Sequence, residues 1–97
     1  MVEHIVLFKW KAEASAEQVT AAIEGLRGLK ALLPEIVDLT VGENFCNRNQ
    51  GFTHGLVVRF EDRAGLESYG PSDAHQNVVK NLISPIRADV LAIDYEF

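Results

Sequence analysis

Three histidines and one tyrosine supply the side chains that acid–base chemistry uses: His4, His54, His75 and Tyr69. Imidazole titrates nearer neutrality than any other unperturbed side chain, so it can act as base, acid or metal ligand at working pH. A phenol offers the donor that a developing enolate or alkoxide oxygen needs. No other histidine occurs in the chain. His4 falls within Val2–Phe8, His54 within Phe52–Val58, and Tyr69 and His75 bracket the turn Gly70-Pro71-Ser72-Asp73-Ala74. For Tyr69 and His75 to point into one pocket, the chain must turn at Gly70-Pro71. If the four converge they make a site; otherwise they are unrelated side chains in a small domain.

The elements that would position them can be read from periodicity. Residues 2–10 alternate as a strand, with Val2, His4, Val6, Phe8 and Trp10 on one parity and Ile5 and Leu7 on the other. Ser15-Ala16-Glu17-Gln18 has the form of a capping box, Ser15 as N-cap and Gln18 reaching back. The helix after it carries Val19, Ala22, Ile23, Leu26, Leu29 and Leu33 at spacings of three and four, and Pro34 ends it. Gly25 and Gly28 weaken this helix and would let it approach a sheet closely. A second strand is predicted over Ile36–Glu43, a polar loop over 44–50, and a third strand over 52–61. On that strand Phe52, His54, Leu56, Val58 and Phe60 share a parity. Asp62 caps a short helix holding Leu66 and Tyr69, which Gly70-Pro71 breaks. Ser72 or Asp73 can cap the next helical piece, which carries Val78, Val79, Leu82 and Ile83 and stops at Ser84-Pro85. A last strand covers 89–97.

The order β-α-β-β-α-β predicts one α+β domain over residues 1–97 with a ferredoxin-like, four-stranded antiparallel sheet and both helical segments on one face. Two helices cover only one side, so the other should expose Val, Leu, Phe and Trp side chains. A patch of that size predicts a C2 homodimer, sheet against sheet.

Composition narrows the partners. A net charge of -5 with scattered Lys and Arg argues against nucleic acid and against an anionic membrane surface. No apolar run is long enough to span a bilayer, and no leader pattern is visible at the start. Cys46 is alone, so no internal disulfide forms and a cytoplasmic setting is expected.

Four segments carry a family resemblance: His4-Ile5-Val6-Leu7-Phe8-Lys9, Gln50-Gly51-Phe52-Thr53-His54, Tyr69 through His75, and Asp89-Val90-Leu91-Ala92-Ile93-Asp94-Tyr95. In order and spacing they resemble the stress-responsive dimeric α/β-barrel (Dabb) domain proteins. The resemblance implies a ferredoxin-like subunit whose sheet joins its twin's to form a barrel. The family includes polyketide cyclases of the olivetolic acid cyclase type, which perform an intramolecular aldol condensation. By that likeness His75 would be the general base, Tyr69 the residue orienting the reacting carbonyl, and His4 and His54 would line the substrate pocket. Ser72 and Asp73 stand where His-Pro is usual in the family, which would make the pocket entrance more acidic.

Each residue also has a plain structural reading. His75 can sit in a first helical turn bonded to its cap, His4 and His54 can be satisfied inward-facing groups, and Tyr69 can be an interface aromatic. Asp94 can join the site or face solvent, Trp10 and Phe97 read as structural, and Cys46 as incidental. The histidines lack the short paired spacing of a metal site, and neither metal nor cofactor is expected. The resulting expectation is a small dimeric protein binding a hydrophobic or aromatic small molecule. If an enzyme, it would be a lyase or cyclase working by general acid–base catalysis. A non-enzymatic stress-responsive assembly protein and a cofactor-free monooxygenase-like enzyme are alternatives on the same fold.

Overall fold

The alternation of residues 2–10 becomes β1, Val2–Trp10, in a computed structural model that describes all of Met1–Phe97. Both halves of the capping box form. Ser15 Oγ accepts the Gln18 N–H at 3.1 Å, and Gln18 Oε1 accepts the Ser15 N–H at 2.9 Å. They start α1, Ala16–Arg27. Gly28 interrupts the helix, leaving a single turn, α2 at Leu29–Leu32, that ends before Pro34. Strands β2, Ile36–Glu43, and β3, His54–Phe60, follow. Next come α3, Arg63–Tyr69, and α4, Asp73–Val78, which runs on into a π-helical turn over Val79–Ile83. The chain closes with β4, Arg87–Glu96.

The sheet order is β2-β3-β1-β4 and every pairing is antiparallel, which is the ferredoxin-like arrangement predicted. Helices cover one face. There Val2, Val6, Phe8, Leu56, Val58 and Phe60 are buried from the sheet side against Ala22, Ile23, Leu26 and Leu29 from the helical side. No helix is long and apolar enough to cross a membrane.

The uncovered face differs in membership from the expectation. It carries Ile5, Leu7 and Val57, continued across the β1–β4 register by Leu91, Ile93 and Tyr95. Ile93 is 52 % exposed and Phe97 63 %. Trp10 is not part of it. It stacks on Phe8 on the helix side with ring centroids 5.2 Å apart, so the aromatic rings of β1 fill the core instead of the open face. Phe52 also departs from its assigned parity. It precedes β3 and lies beneath the Lys9 ammonium, 4.7 Å from the ring centre.

Gly25 has a different use from the one predicted. A Cβ there would stand 2.7 Å from Leu82 and 3.4 Å from Val78, so the glycine admits the second helical segment, not the sheet. Gly65 does the same for β3, where a Cβ would come within 3.2 Å of Phe60. That close approach folds α3 back onto the sheet and sets the position of Tyr69 at its end.

Candidate functional site

Three of the four residues singled out in the sequence meet. His4 comes from β1, Tyr69 from the last turn of α3 and His75 from the first turn of α4. The Tyr69 ring lies 4.3 Å from that of His75, centre to centre, and 5.9 Å edge-on from that of His4. All three line a cavity of about 110 Å³. Its apolar wall is Val6, Phe8 and Leu56 from the sheet, Leu26 from α1, and Val79 and Ile83 from the π-helical turn. A π turn widens the helix by one residue and recurs at functional sites. Here it presents Val79 and Ile83 to the cavity.

The turn that brings Tyr69 and His75 together is tied by its own hydrogen bonds. Ser72 Oγ donates to the Tyr69 carbonyl at 2.7 Å and accepts the His75 N–H at 3.3 Å, so Ser72 is the N-cap. The Gly70 carbonyl accepts from His75 Nδ1 and from Gln76 Nε2, both at 2.8 Å. A carbonyl only accepts, so Nδ1 carries the His75 proton and Nε2 keeps its lone pair. Burial lowers the His75 pKa below its ordinary value of 6.5, an effect that the Gly70 bond opposes and nearby His4 reinforces. The ring is therefore a neutral base with a free basic nitrogen. Asp73 does not line the cavity. The acidic entrance expected from Ser72-Asp73 is not found, because Asp73 sits exposed in the first turn of α4.

Tyr69 is 1 % exposed, and its hydroxyl has no protein donor or acceptor within reach. Desolvation raises its pKa to about 12, so it stays a protonated donor at any working pH. His4 Nδ1 donates to Asp94 Oδ1, its direct partner across the β1–β4 pairing. Asp94 holds one ring nitrogen of His4 while its own carboxylate stays half exposed to solvent.

His54 does not join the cavity. It shares the helix-side face, but it pairs with Phe8, four residues along β1 from His4. Trp10 Nε1 donates to His54 Nδ1 at 3.0 Å, with Thr53 Oγ1 2.9 Å from the same nitrogen. An indole only donates, so the basic nitrogen of His54 is occupied. His54 therefore lies outside the cavity lined by the other three and is tied to Trp10. The three histidines therefore form no metal-ligand set, and no other cluster of His, Cys, Asp and Glu does so. Arg87, which the sequence reading left before the last strand, does line the cavity.

Residues 2–97 match the family described as the stress-responsive A/B barrel domain. The chain belongs to that family. A curated relative, a stress-response A/B barrel domain-containing protein of Arabidopsis thaliana, is 34 % identical over 98 % of this chain. The chain spans 36 % of that relative's length. Among solved structures, an Arabidopsis thaliana protein superposes with a TM-score of 0.89 at 26 % identity, covering 100 % of this chain and 95 % of the other. A dimeric ferredoxin-like protein of unknown function from Bacteroides fragilis gives 0.85 at 25 % identity, over 99 % and 95 %. A Passiflora edulis hydroxynitrile lyase, 23 % identical with a TM-score of 0.88 over 97 % of this chain and 90 % of its own, shares the fold alone.

Two half-buried imidazoles give this A/B barrel domain a pH-dependent stability. His54 and His75 both have pKa values lowered from 6.5, chiefly by desolvation. As pH falls through 6.5 the unfolded chain binds protons first, while the folded chain still holds both rings neutral. Stability is therefore complete above that value and declines as pH falls through the lowered folded values. Urea midpoints should drop between about pH 7.5 and 5.5. His54→Gln and His75→Gln should each remove part of the slope; midpoints that fall as steeply in both variants would assign the slope to other groups.

Proposed function

We infer that this chain is a homodimeric acid–base enzyme acting on a small carbonyl compound, in the manner of a polyketide cyclase. His75 Nε2 takes a proton from the carbon beside a carbonyl, and Tyr69 donates its O–H to the carbonyl oxygen as the enolate forms. In an aldol closure the enolate carbon bonds to a second carbonyl carbon, and the proton on His75 returns to the new alkoxide. Atoms and charge balance with no further reagent. His4, fixed by Asp94, forms the third polar wall and helps orient the substrate.

The observation that carries this reading is the Tyr69 hydroxyl, buried without a protein partner in a side chain that lines the cavity beside a histidine with a free basic nitrogen. Buried polar groups are nearly always paired, because leaving one unpaired costs about 1–3 kcal/mol. A ligand oxygen would complete the bond. The cavity is smaller than the roughly 150 Å³ that holds benzene, so it takes one short chain or ring with the rest of the ligand at the mouth.

The uncovered apolar face supports the dimer, and the similar Bacteroides fragilis protein is described as dimeric. The single exposed Cys46 is consistent with a reducing cytoplasm.

The test is exchange of the methyl protons of acetophenone in D₂O, followed by NMR. Wild type should catalyse it, and His75→Gln should lose about 10²–10⁴-fold of the enzymatic rate. Equal rates in the two proteins would remove His75 as base, and no wild-type exchange with acetophenone would remove the enolising reading.

A further inference from the structure

The cavity has one permanently charged side chain on its wall, and its sign points to the substrate. Arg87 lines the same space as His4, Tyr69 and His75. It reaches that face through an irregularity in the sheet. Lys9 pairs with Asp89 but Trp10 pairs with Arg87, so β4 carries one extra residue, Ala88. In a regular ladder Ala88 would oppose Trp10, and Arg87 would point to the uncovered face. The bulge turns it by one position toward the helix side. Bulges of this kind re-aim side chains beside binding sites.

The guanidinium is also uncommitted. Arg27 pairs with Glu24, Lys30 with Asp38, Arg59 with Glu3 and Arg63 with Glu96, whereas Arg87 has no carboxylate partner. Asp94, on the same strand, is engaged by His4. The remaining wall beside Arg87 is apolar and includes Val90, Val79 and Ile83. An apolar slot with a free, always charged, fork-shaped donor at one end matches a carboxylate on a hydrocarbon or aromatic body.

We propose that the site takes a small aromatic or short-chain carboxylic acid, with Arg87 holding the carboxylate at the mouth and the apolar body lying toward Tyr69 and His75. This names the substrate class of the carbonyl chemistry proposed above, and so rests on that pocket being a binding site. It makes Arg87 the residue that selects acids over their neutral analogues.

The experiment titrates wild type, Arg87→Met and Arg87→Lys with benzoate, phenylacetate and 3-phenylpropionate, each beside its primary amide. The His75 and Tyr69 ring resonances report occupancy. In wild type the acids should bind about tenfold more tightly than the amides. Arg87→Met should erase that preference, and Arg87→Lys should keep part of it. Acids and amides binding wild type equally would overturn the carboxylate proposal and leave the pocket standing. An acid preference that survives in Arg87→Met would assign it to another group and overturn the role of Arg87. Shifts in neither ring with any of these acids or amides would remove the pocket as a binding site, and the proposal with it.

Discussion

Tyr69→Phe should lower the acetophenone exchange rate by about 10²–10³-fold and leave the fold at least as stable as wild type. The two halves of this result come from one atom. The hydroxyl is buried and unpaired in the folded chain, so removing it abolishes a desolvation penalty of about 1–3 kcal/mol and creates no new unpaired group. The ring stays, and with it the packing against Phe60 and His75 at centre-to-centre distances of 5.2 and 4.3 Å. In the reaction the same hydroxyl is the donor beside His75 that is offered to the developing oxyanion. Its pKa of about 12 keeps the proton in place at neutral pH. Urea melts of the two proteins, run beside the exchange assay, separate the cases. Loss of both stability and rate would mean that the hydroxyl is a structural group. An unchanged rate would mean that it is not the oxyanion donor. A Tyr69→Ala variant cannot make this distinction, since the cavity it opens costs about 3–5 kcal/mol by itself.

The contrast among the four singled-out residues shows what short-range pattern carries. Tyr69 and His75 were legible because the signals that place them are local: an Asp62 cap, a Gly70-Pro71 break and a Ser72 cap lie within a few residues of both. The strands and α1 were legible for the same reason, through alternation and the Ser15–Gln18 box. His54 had the correct parity yet the wrong neighbours. It pairs with Phe8, away from His4, and its basic nitrogen is taken up by the Trp10 indole packed on Phe8. Nothing in the sequence around His54 encodes that packing.

Arg87 and Asp94 belong to a third group, whose roles depend on pairing between strands at opposite ends of the chain. Asp94 acquires His4 only when β1 and β4 align in this register. Arg87 faces the cavity only because one residue bulges out of that ladder. A single-position slip exchanges the two faces of a strand, so no periodicity within β4 could assign them. The composition of the open face differs from the predicted one for a related reason. An aromatic such as Trp10 satisfies the pattern on either side, and only its stack on Phe8 shows which one it takes.

Ile93→Asp should convert the protein from dimer to monomer while leaving the subunit folded. Ile93 stands on the edge strand of the uncovered face, paired with Ile5 and flanked by Leu91 and Tyr95. Within one chain it is already 52 % exposed, so a carboxylate there meets water and disturbs no core contact. In a two-fold dimer built on this face every substitution occurs twice, and each carboxylate would enter an apolar interface with no cation placed to meet it. Of the basic residues on that face, Arg59 is already held by Glu3 and Lys9 lies over the Phe52 ring. At about 2 kcal/mol or more for each buried, unpaired group, the two copies should weaken association about 10³-fold. Sedimentation at micromolar concentration reads this directly. The candidate site lies on the opposite side of the sheet, and every bond that shapes it, from Gly70 to His75 and from Asp94 to His4, is made within one chain. The monomer should therefore keep the His75 and Tyr69 ring shifts seen with aromatic acids. A dimer that persists with aspartate at this position would place the interface on another surface. A monomer that no longer binds would instead make the sheet partner part of what holds β4, and hence Arg87, in position.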